Sequence, residues 1–342
     1  MSKVKIMAHR GASYHAPENT AAAFKKAYDF NVDGIETDLQ LTKDGEIVIH
    51  HNYYIDDTSD GRGAILTKTL EELKQYDFGK GEKILTLAEL LPILDGMDII
   101  NLELKSPLDK EADYVGKVLD IVSKSGMKDK IIYSSFDERL LGEMKKRNPK
   151  CRVGLLTSYE KTQSFQREFA AYFAGRYPVC DLAGLLNDAG KSRSLTELVD
   201  SLEYIPDYLH PDYKSVLENP ALVAKMHERG IGVNPYTCDK PDDMRRLVEA
   251  GCDGIITNRP DVAMELTQGI KMVFLNVDCF SQVLSMSVNM SVILPQRLDI
   301  PNSVNGGSFT PPYPVLYLLH GYNGDHTVWA RRTSVERYAA DK

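Results

Sequence analysis

Gly34-Ile35-Glu36-Thr37-Asp38-Leu39-Gln40-Leu41 holds the fold in miniature. Ile35, Thr37, Leu39 and Leu41 alternate with Glu36, Asp38 and Gln40, the period-two pattern of a β-strand, so two carboxylates fall on one face. On an open strand such a face is solvated. In a closed barrel it points into the packed interior, near the strand's C-terminal end, and two like charges side by side there call for a cation.

Before this strand, residues 4–8 form an apolar run ending at His9-Arg10-Gly11, which reads as a buried first strand delivering polar residues at its C-terminal end. Pro17-Glu18-Asn19-Thr20 follows, and Thr20 is placed to cap a helix in which Ala23, Phe24, Ala27 and Tyr28 recur at helical spacing. After it, Lys43-Asp44-Gly45 has hairpin-turn chemistry and leads into a strand over 46–51 that ends in His50-His51-Asn52. Further strands are expected at 98–105, 130–135, 152–156, 208–210, 231–236 and 254–257. Helical patterns at 111–125, 138–147, 220–229 and 241–250 lie between several of them. The alternation predicts a parallel sheet, and the 342-residue length suits one TIM-type (β/α)8 barrel over residues 1–269 with a further segment at 270–342. Residues 159–205 exceed what one crossover helix needs and are expected to hold an insertion or an extra helical layer.

With 43% hydrophobic and 26% charged residues the composition is globular, which sets aside disordered and collagen-like classes. A net charge of -8 argues against a nucleic-acid partner. The five cysteines are scattered without CxxC or CxxH spacing, so neither a disulfide framework nor a zinc site is expected. The N-terminal residues lack an apolar stretch of signal-peptide length and no later stretch reaches spanning length, so the expectation is a cytoplasmic protein with no transmembrane segment.

A third carboxylate stands in Asn101-Leu102-Glu103-Leu104-Lys105, with Lys105 on the same face one pleat further on. Glu36, Asp38 and Glu103 form an all-oxygen ligand set suited to one divalent cation, Mg²⁺ or Ca²⁺. Arg10 and Lys105 are left to hold an anion. A histidine at a strand end is commonly structural. His9 and His51 gain weight from this company, because a phosphodiester needs charge neutralisation together with a base and an acid. Adjacent strand residues face opposite ways, so only one of His50 and His51 enters the site; spacing after Asp44-Gly45 favours His51.

His9-Arg10-Gly11, Pro17–Thr20, Glu36-Thr37-Asp38, Lys43-Asp44-Gly45 with His51, Glu103-Leu104-Lys105 and the run from Gly254 to Asp261 together resemble the glycerophosphodiester phosphodiesterase family over residues 3–268. The resemblance implies a TIM-type barrel that releases glycerol 3-phosphate and an alcohol from a small glycerophosphodiester such as glycerophosphocholine. It implies His9 and His51 as the acid/base pair, Glu36, Asp38 and Glu103 as metal ligands, and Arg10 and Lys105 as phosphate contacts. Tyr236, in Tyr236-Thr237 where the family often has Trp-Thr, is expected to wall the substrate pocket, with a plain core aromatic as the alternative. Asn19 and Thr20 are read first as fixing a loop and capping a helix, with Glu18 or Asn19 alternatively backing the metal ligands and both left outside the catalytic set, and His210 is a weaker substrate contact. Water and the neighbouring glycerol hydroxyl both remain open as nucleophile.

Two departures bear on activity: His51-Asn52 replaces His-Asp, and Ile55-Asp56-Asp57-Thr58 replaces Leu-Asp-Arg-Thr. Asn52 can hydrogen-bond but adds no charge, so reduced or shifted activity is expected. A silent barrel is disfavoured because both histidines and all three carboxylates are retained. A lysophospholipase D-like enzyme leaving a cyclic phosphate is the nearer alternative, and no amphipathic anchor supports it. Residues 314–321, with Trp329 and Arg331–Ser334, resemble the opening of an α/β-hydrolase esterase. The chain has no GxSxG elbow, so residues 270–342 are expected to be a truncated, incomplete hydrolase-like segment and carboxylesterase activity is not expected. Oligomeric state is not legible.

Overall fold

Eight parallel strands and one antiparallel arm make up the main sheet in the computed structural model, which describes residues 4–107, 112–158, 194–267, 270–281 and 286–297. The strands are β1 (Lys5–His9), β2 (Gly34–Leu41), β3 (Ile47–Ile49), β4 (Ile99–Leu104), β5 (Ile131–Ser135), β6 (Arg152–Thr157), β7 (Tyr208–Pro211), β8 (Gly232–Val233) and β9 (Gly254–Thr257). Their order is β8-β7-β6-β5-β4-β2-β1-β9, with β3 folded back antiparallel on β2 after the Asp44-Gly45 turn. The sheet closes where Asp253 N–H donates to Val233 O (2.9 Å), Ile256 N–H to Pro235 O (3.0 Å) and Cys238 N–H to Ile256 O (3.1 Å). This is a (β/α)8 barrel.

All eight residues of β2 are buried, so Glu36, Asp38 and Gln40 are interior groups. Thr20 caps the helix Ala21–Tyr28 by accepting from Ala23 N–H, and that helix buries Ala23, Phe24 and Ala27. Tyr114–Ser125 starts on Asp113 and stops at Gly126, whose φ of 75° is cheap only without a Cβ. The helices Glu138–Arg147, Ala221–His227 and Pro241–Glu249 fall where helical spacing predicts them. The helices Leu70–Gln75, Leu87–Ile93, Tyr213–Glu218 and Pro260–Thr267 lie outside the helical patterns expected from the sequence. The strand expected over 231–236 stops at Val233, because Pro235 has no N–H to give the ladder; Tyr236 rejoins through a single bridge with Asp212. Of the expected insertion over 159–205, only the part from 194 lies within the described residues, and it holds the helix Leu195–Asp200.

The chain divides into two compact units, residues 1–264 and 265–342. Within the second, Ile270–Ser281 pairs antiparallel with Met286–Arg297. The esterase-like stretch over 314–334 lies outside the described residues. Among the described residues no helix is long and apolar enough to cross a membrane.

The barrel interior is not uniformly apolar. His210 on β7 is wholly buried, its Nε2 taking a hydrogen bond from Asn234 Nδ2 at 3.2 Å. Its ring fills the space over Gly154, where a Cβ would come within 2.7 Å of the imidazole. Burial lowers its pKa from 6.5 to about 3. Below pH 6.5 the unfolded chain therefore binds a proton that the folded chain refuses, and stability is lost as pH falls toward the folded value. At ~1.4 kcal/mol per pH unit, wild type should lose about 2 kcal/mol more than His210→Gln on going from about pH 6.5 to about pH 5. Urea unfolding at the two pH values checks this, and equal losses would refute it.

Candidate active site

The C-terminal ends of β1, β2, β4 and β9 supply the polar groups. Parallel registers set His9 against Glu36 and Asp38 against Glu103, which brings all four into neighbouring positions of the interior. Glu36, Asp38 and Glu103 are buried, and one oxygen from each lies within 4.8 Å of the others. The backbone beyond β1 is bent to serve them. Gly11 has φ 78°, and a Cβ there would sit 2.7 Å from Ala23, so only glycine fits. Arg10 adopts φ 55°, which turns its N–H toward Glu36 Oε2 at 3.2 Å. Asn19, also left-handed at φ 57°, donates to Asp38 Oδ2 at 2.9 Å and accepts from Thr37 at 2.7 Å. Left-handed non-glycine residues persist only where their surroundings fix them, which is the case here.

The three carboxylates are not equivalent. Burial works to raise Asp38, but Lys105 Nζ at 2.9 Å and Arg10 Nε at 3.6 Å overcome it and hold Asp38 well below the usual carboxylate range. Glu36 is driven well above that range by burial first and then by Asp38 and Glu103. Glu103 rises to about 7, again through burial first, although Lys105 ion-pairs with it. Two of the three therefore lack sufficient positive charge. A hard divalent cation among these oxygens is the addition that fits the donor set and answers the imbalance.

The histidines are held in parallel ways. His9 Nδ1 lies 2.6 Å from Asn258 Oδ1, and Asn258 commits its Nδ2 to Asp239 Oδ2 at 2.7 Å. The amide oxygen thus faces His9, which assigns the proton to Nδ1 and leaves Nε2 unprotonated, 3.8 Å from Glu36. His51 Nδ1 meets Asn52 Oδ1 at 2.7 Å, giving the same tautomer. Burial, joined by Arg10 for His9 and Lys105 for His51, lowers both to about 3, so both are neutral at pH 7. His50 spends both nitrogens, on Asn52 O and Thr58 Oγ1, each at 2.7 Å, and stands edge-on to Phe78. It is thereby committed to the wall, and His51 is left facing the carboxylates.

Arg10 grips Glu18 at 3.0 and 3.1 Å, while its buried Nε has no hydrogen-bond partner among the described residues. Lys105 rests on Asp38 and Glu103 instead of standing free. Tyr236 donates its hydroxyl to Thr157 O at 3.0 Å and meets Phe136 edge to face at 6.0 Å. His210 lies in the barrel interior, locked against Gly154 and Asn234, and is not a mouth residue. A cavity of about 510 Å³ lined by residues 17–18, 57–60 and 77–79 shares Glu18 with this constellation but contains none of the three carboxylates, so it is not where a phosphate would meet them. Sequence reasoning missed Asn258 and Asp239 as the holders of His9. Asn258 directly follows β9 inside the motif Gly254–Asp261, whereas nothing local marks Asp239.

The model of the glycerophosphoryl diester phosphodiesterase family matches residues 9–262. The chain belongs to that family. By that membership it is a glycerophosphodiester phosphodiesterase. A glycerophosphodiester phosphodiesterase of Caldanaerobacter subterraneus subsp. tengcongensis is 32% identical over 274 residues, covering 78% of this chain and 98% of that protein. One from Bacillus subtilis is 30% identical over 271 residues, covering 78% and 87%. Among solved structures, an Oleispira antarctica phosphodiesterase in complex with the product sn-glycerol-3-phosphate is similar with a TM-score of 0.63 and 25% identity, over 78% of this chain and 97% of that one.

Proposed function

We propose that this phosphodiesterase hydrolyses small glycerophosphodiesters to sn-glycerol 3-phosphate and an alcohol, with one divalent cation held by Glu36, Asp38 and Glu103 and with His9 and His51 as acid and base. The observation that carries this reading is the buried, undercompensated carboxylate triad flanked by two imidazoles of one tautomer. Residues 1–269 are the catalytic barrel in this reading, and the protein works in the cytoplasm.

When bound, the cation neutralises charge on a non-bridging phosphate oxygen. Arg10, whose Nε makes no hydrogen bond among the described residues, and Lys105 orient the phosphate from the protein side. One imidazole accepts, at Nε2, the proton of the attacking hydroxyl as the new P–O bond forms. The other returns a proton to the departing alkoxide as the old P–O bond breaks. That donor must be charged before the leaving step, and the anionic phosphodiester beside it opposes the depression that burial imposes. Tyr236 walls the pocket.

Glycerol 3-phosphate release from glycerophosphocholine tests the proposal. Release with Mg²⁺ or Ca²⁺, lost in chelator and restored by adding the metal back, is expected. Undiminished release in chelator would remove the cation from the mechanism, and no release with either metal would make the chain a silent barrel. Accumulation of a cyclic phosphate would identify the glycerol 2-hydroxyl as the attacking group.

A further inference from the structure

Beside the carboxylates lies a second set of buried polar groups with no hydrogen-bond partner among the described residues. Asn101 on β4 is wholly buried, and neither its amide oxygen nor its amide nitrogen has a hydrogen-bond partner among the described residues. Its register partner on β2 is Glu36, and it shares a strand face with Glu103 two residues on. Ser134 on β5 is likewise wholly buried with its hydroxyl unpaired, and its register partner is Glu103. On its other side Ser134 is in register with Gly154, over which the His210 ring lies with Nδ1 also unpaired. Each carboxylate that is raised above its ordinary range thus has a neutral, unsatisfied polar neighbour about 5 Å away across the strand pair.

Such groups are expensive. A buried amide or hydroxyl without a partner carries the full cost of its lost hydration, and an apolar residue of the same volume would avoid that cost. A polar interior with several convergent donors and acceptors is the setting in which proteins hold ordered water. Groups that bond the ligating carboxylates from behind fix the direction of their oxygens, and their loss typically weakens metal affinity 10–100-fold.

We propose that Asn101 and Ser134 are positioning residues: through buried water they hold the Glu36 and Glu103 carboxylates in the orientation that takes up the divalent cation. The inference rests on the cation site proposed above. Neither residue touches substrate. The layer they form continues to His210 through the space that Gly154 leaves open.

Calorimetric titration of the full chain with Mg²⁺ and with Ca²⁺, for wild type, Asn101→Leu and Ser134→Ala, tests it without reference to turnover. The expected result is a dissociation constant raised about 10–100-fold in Asn101→Leu and less in Ser134→Ala. The melting temperature in chelator should be unchanged or higher in both variants, since each removes a buried polar group that has no partner among the described residues and rests only on ordered water. A merely structural role would give the reverse, lower melting with unaltered affinity, and would overturn the proposal. Ser134→Ala deletes one oxygen without repacking, so it decides the matter if Asn101→Leu does not fold. Wild type that binds neither metal would bring down the cation site and this inference together. Wild type that binds while both variants match it would bring down this inference alone.

Discussion

His51→Ala should lower kcat/KM for glycerophosphocholine by about 10²–10⁴-fold, the span over which a positioned acid or base contributes, and His9→Ala should be equally severe. Both imidazoles present an unprotonated Nε2 only because an asparagine oxygen holds the proton on Nδ1, at 2.7 Å for His51 and 2.6 Å for His9. Asn52 is therefore as informative as His51. Asn52→Ala frees the ring to swivel and to adopt the other tautomer. Asn52→Asp keeps the acceptor and adds a negative charge, which favours the imidazolium and raises His51 from about 3 toward its ordinary value. If His51 is the base, Asn52→Asp moves the acid limb of the kcat/KM profile to higher pH while activity at neutral pH is kept or increased. A His51→Ala variant within tenfold of wild type would rule out an acid or base role for it. His50→Ala is the contrast, since its nitrogens are spent on Asn52 and Thr58, and it should cost stability more than turnover.

What the sequence discloses here follows from how local each interaction is. The alternation in Gly34–Leu41 and Ile99–Leu104 is a property of consecutive residues, so the faces carrying Glu36, Asp38, Glu103 and Lys105 are legible in the chain by itself. The helices Leu70–Gln75 and Leu87–Ile93 carry complete capping boxes, Thr69 with Glu72 and Thr86 with Glu89, a signal as local as the alternation although hydrophobic spacing alone does not reveal it. The shortening of β8 at Pro235 is equally local. The bond from His9 to Asn258 spans 249 residues and exists only once β1 and β9 are neighbours, so no spacing rule reaches it. Lys105 shows a different limit. Its face is fixed by periodicity, but whether its ammonium meets a phosphate or the carboxylates beside it depends on the charge balance of a closed interior. That Asn101 finds no hydrogen-bond partner among the described residues is likewise a property of the barrel as a whole.

Asp38→Ala and Glu36→Gln should move stability in opposite directions in chelator while both remove the cation site. Asp38 is fully buried and answers Lys105, Arg10 and Asn19, so its removal takes the one carboxylate the two buried cations share, leaving Lys105 with Glu103 and Arg10 with Glu18, and should cost about 3–5 kcal/mol. Glu36 is raised well above the ordinary range because burial, Asp38 and Glu103 all oppose its charge. Its folded form therefore holds a proton that the unfolded chain has released, and its contribution to stability falls as pH rises above about 4.5. Glu103, raised to about 7, acts with the same sign over the window from 4.5 to about 7. Glu36→Gln removes the first of these penalties, so near neutral pH it should match or exceed wild type in urea without metal, by a margin that grows with pH. With metal at a hundred times its dissociation constant, wild type should gain about 2.7 kcal/mol, and both variants should gain little. Equal destabilisation by Asp38→Ala and Glu36→Gln in chelator would mean that Glu36 is already compensated without a cation, and the chief physical reason for placing one there would be gone.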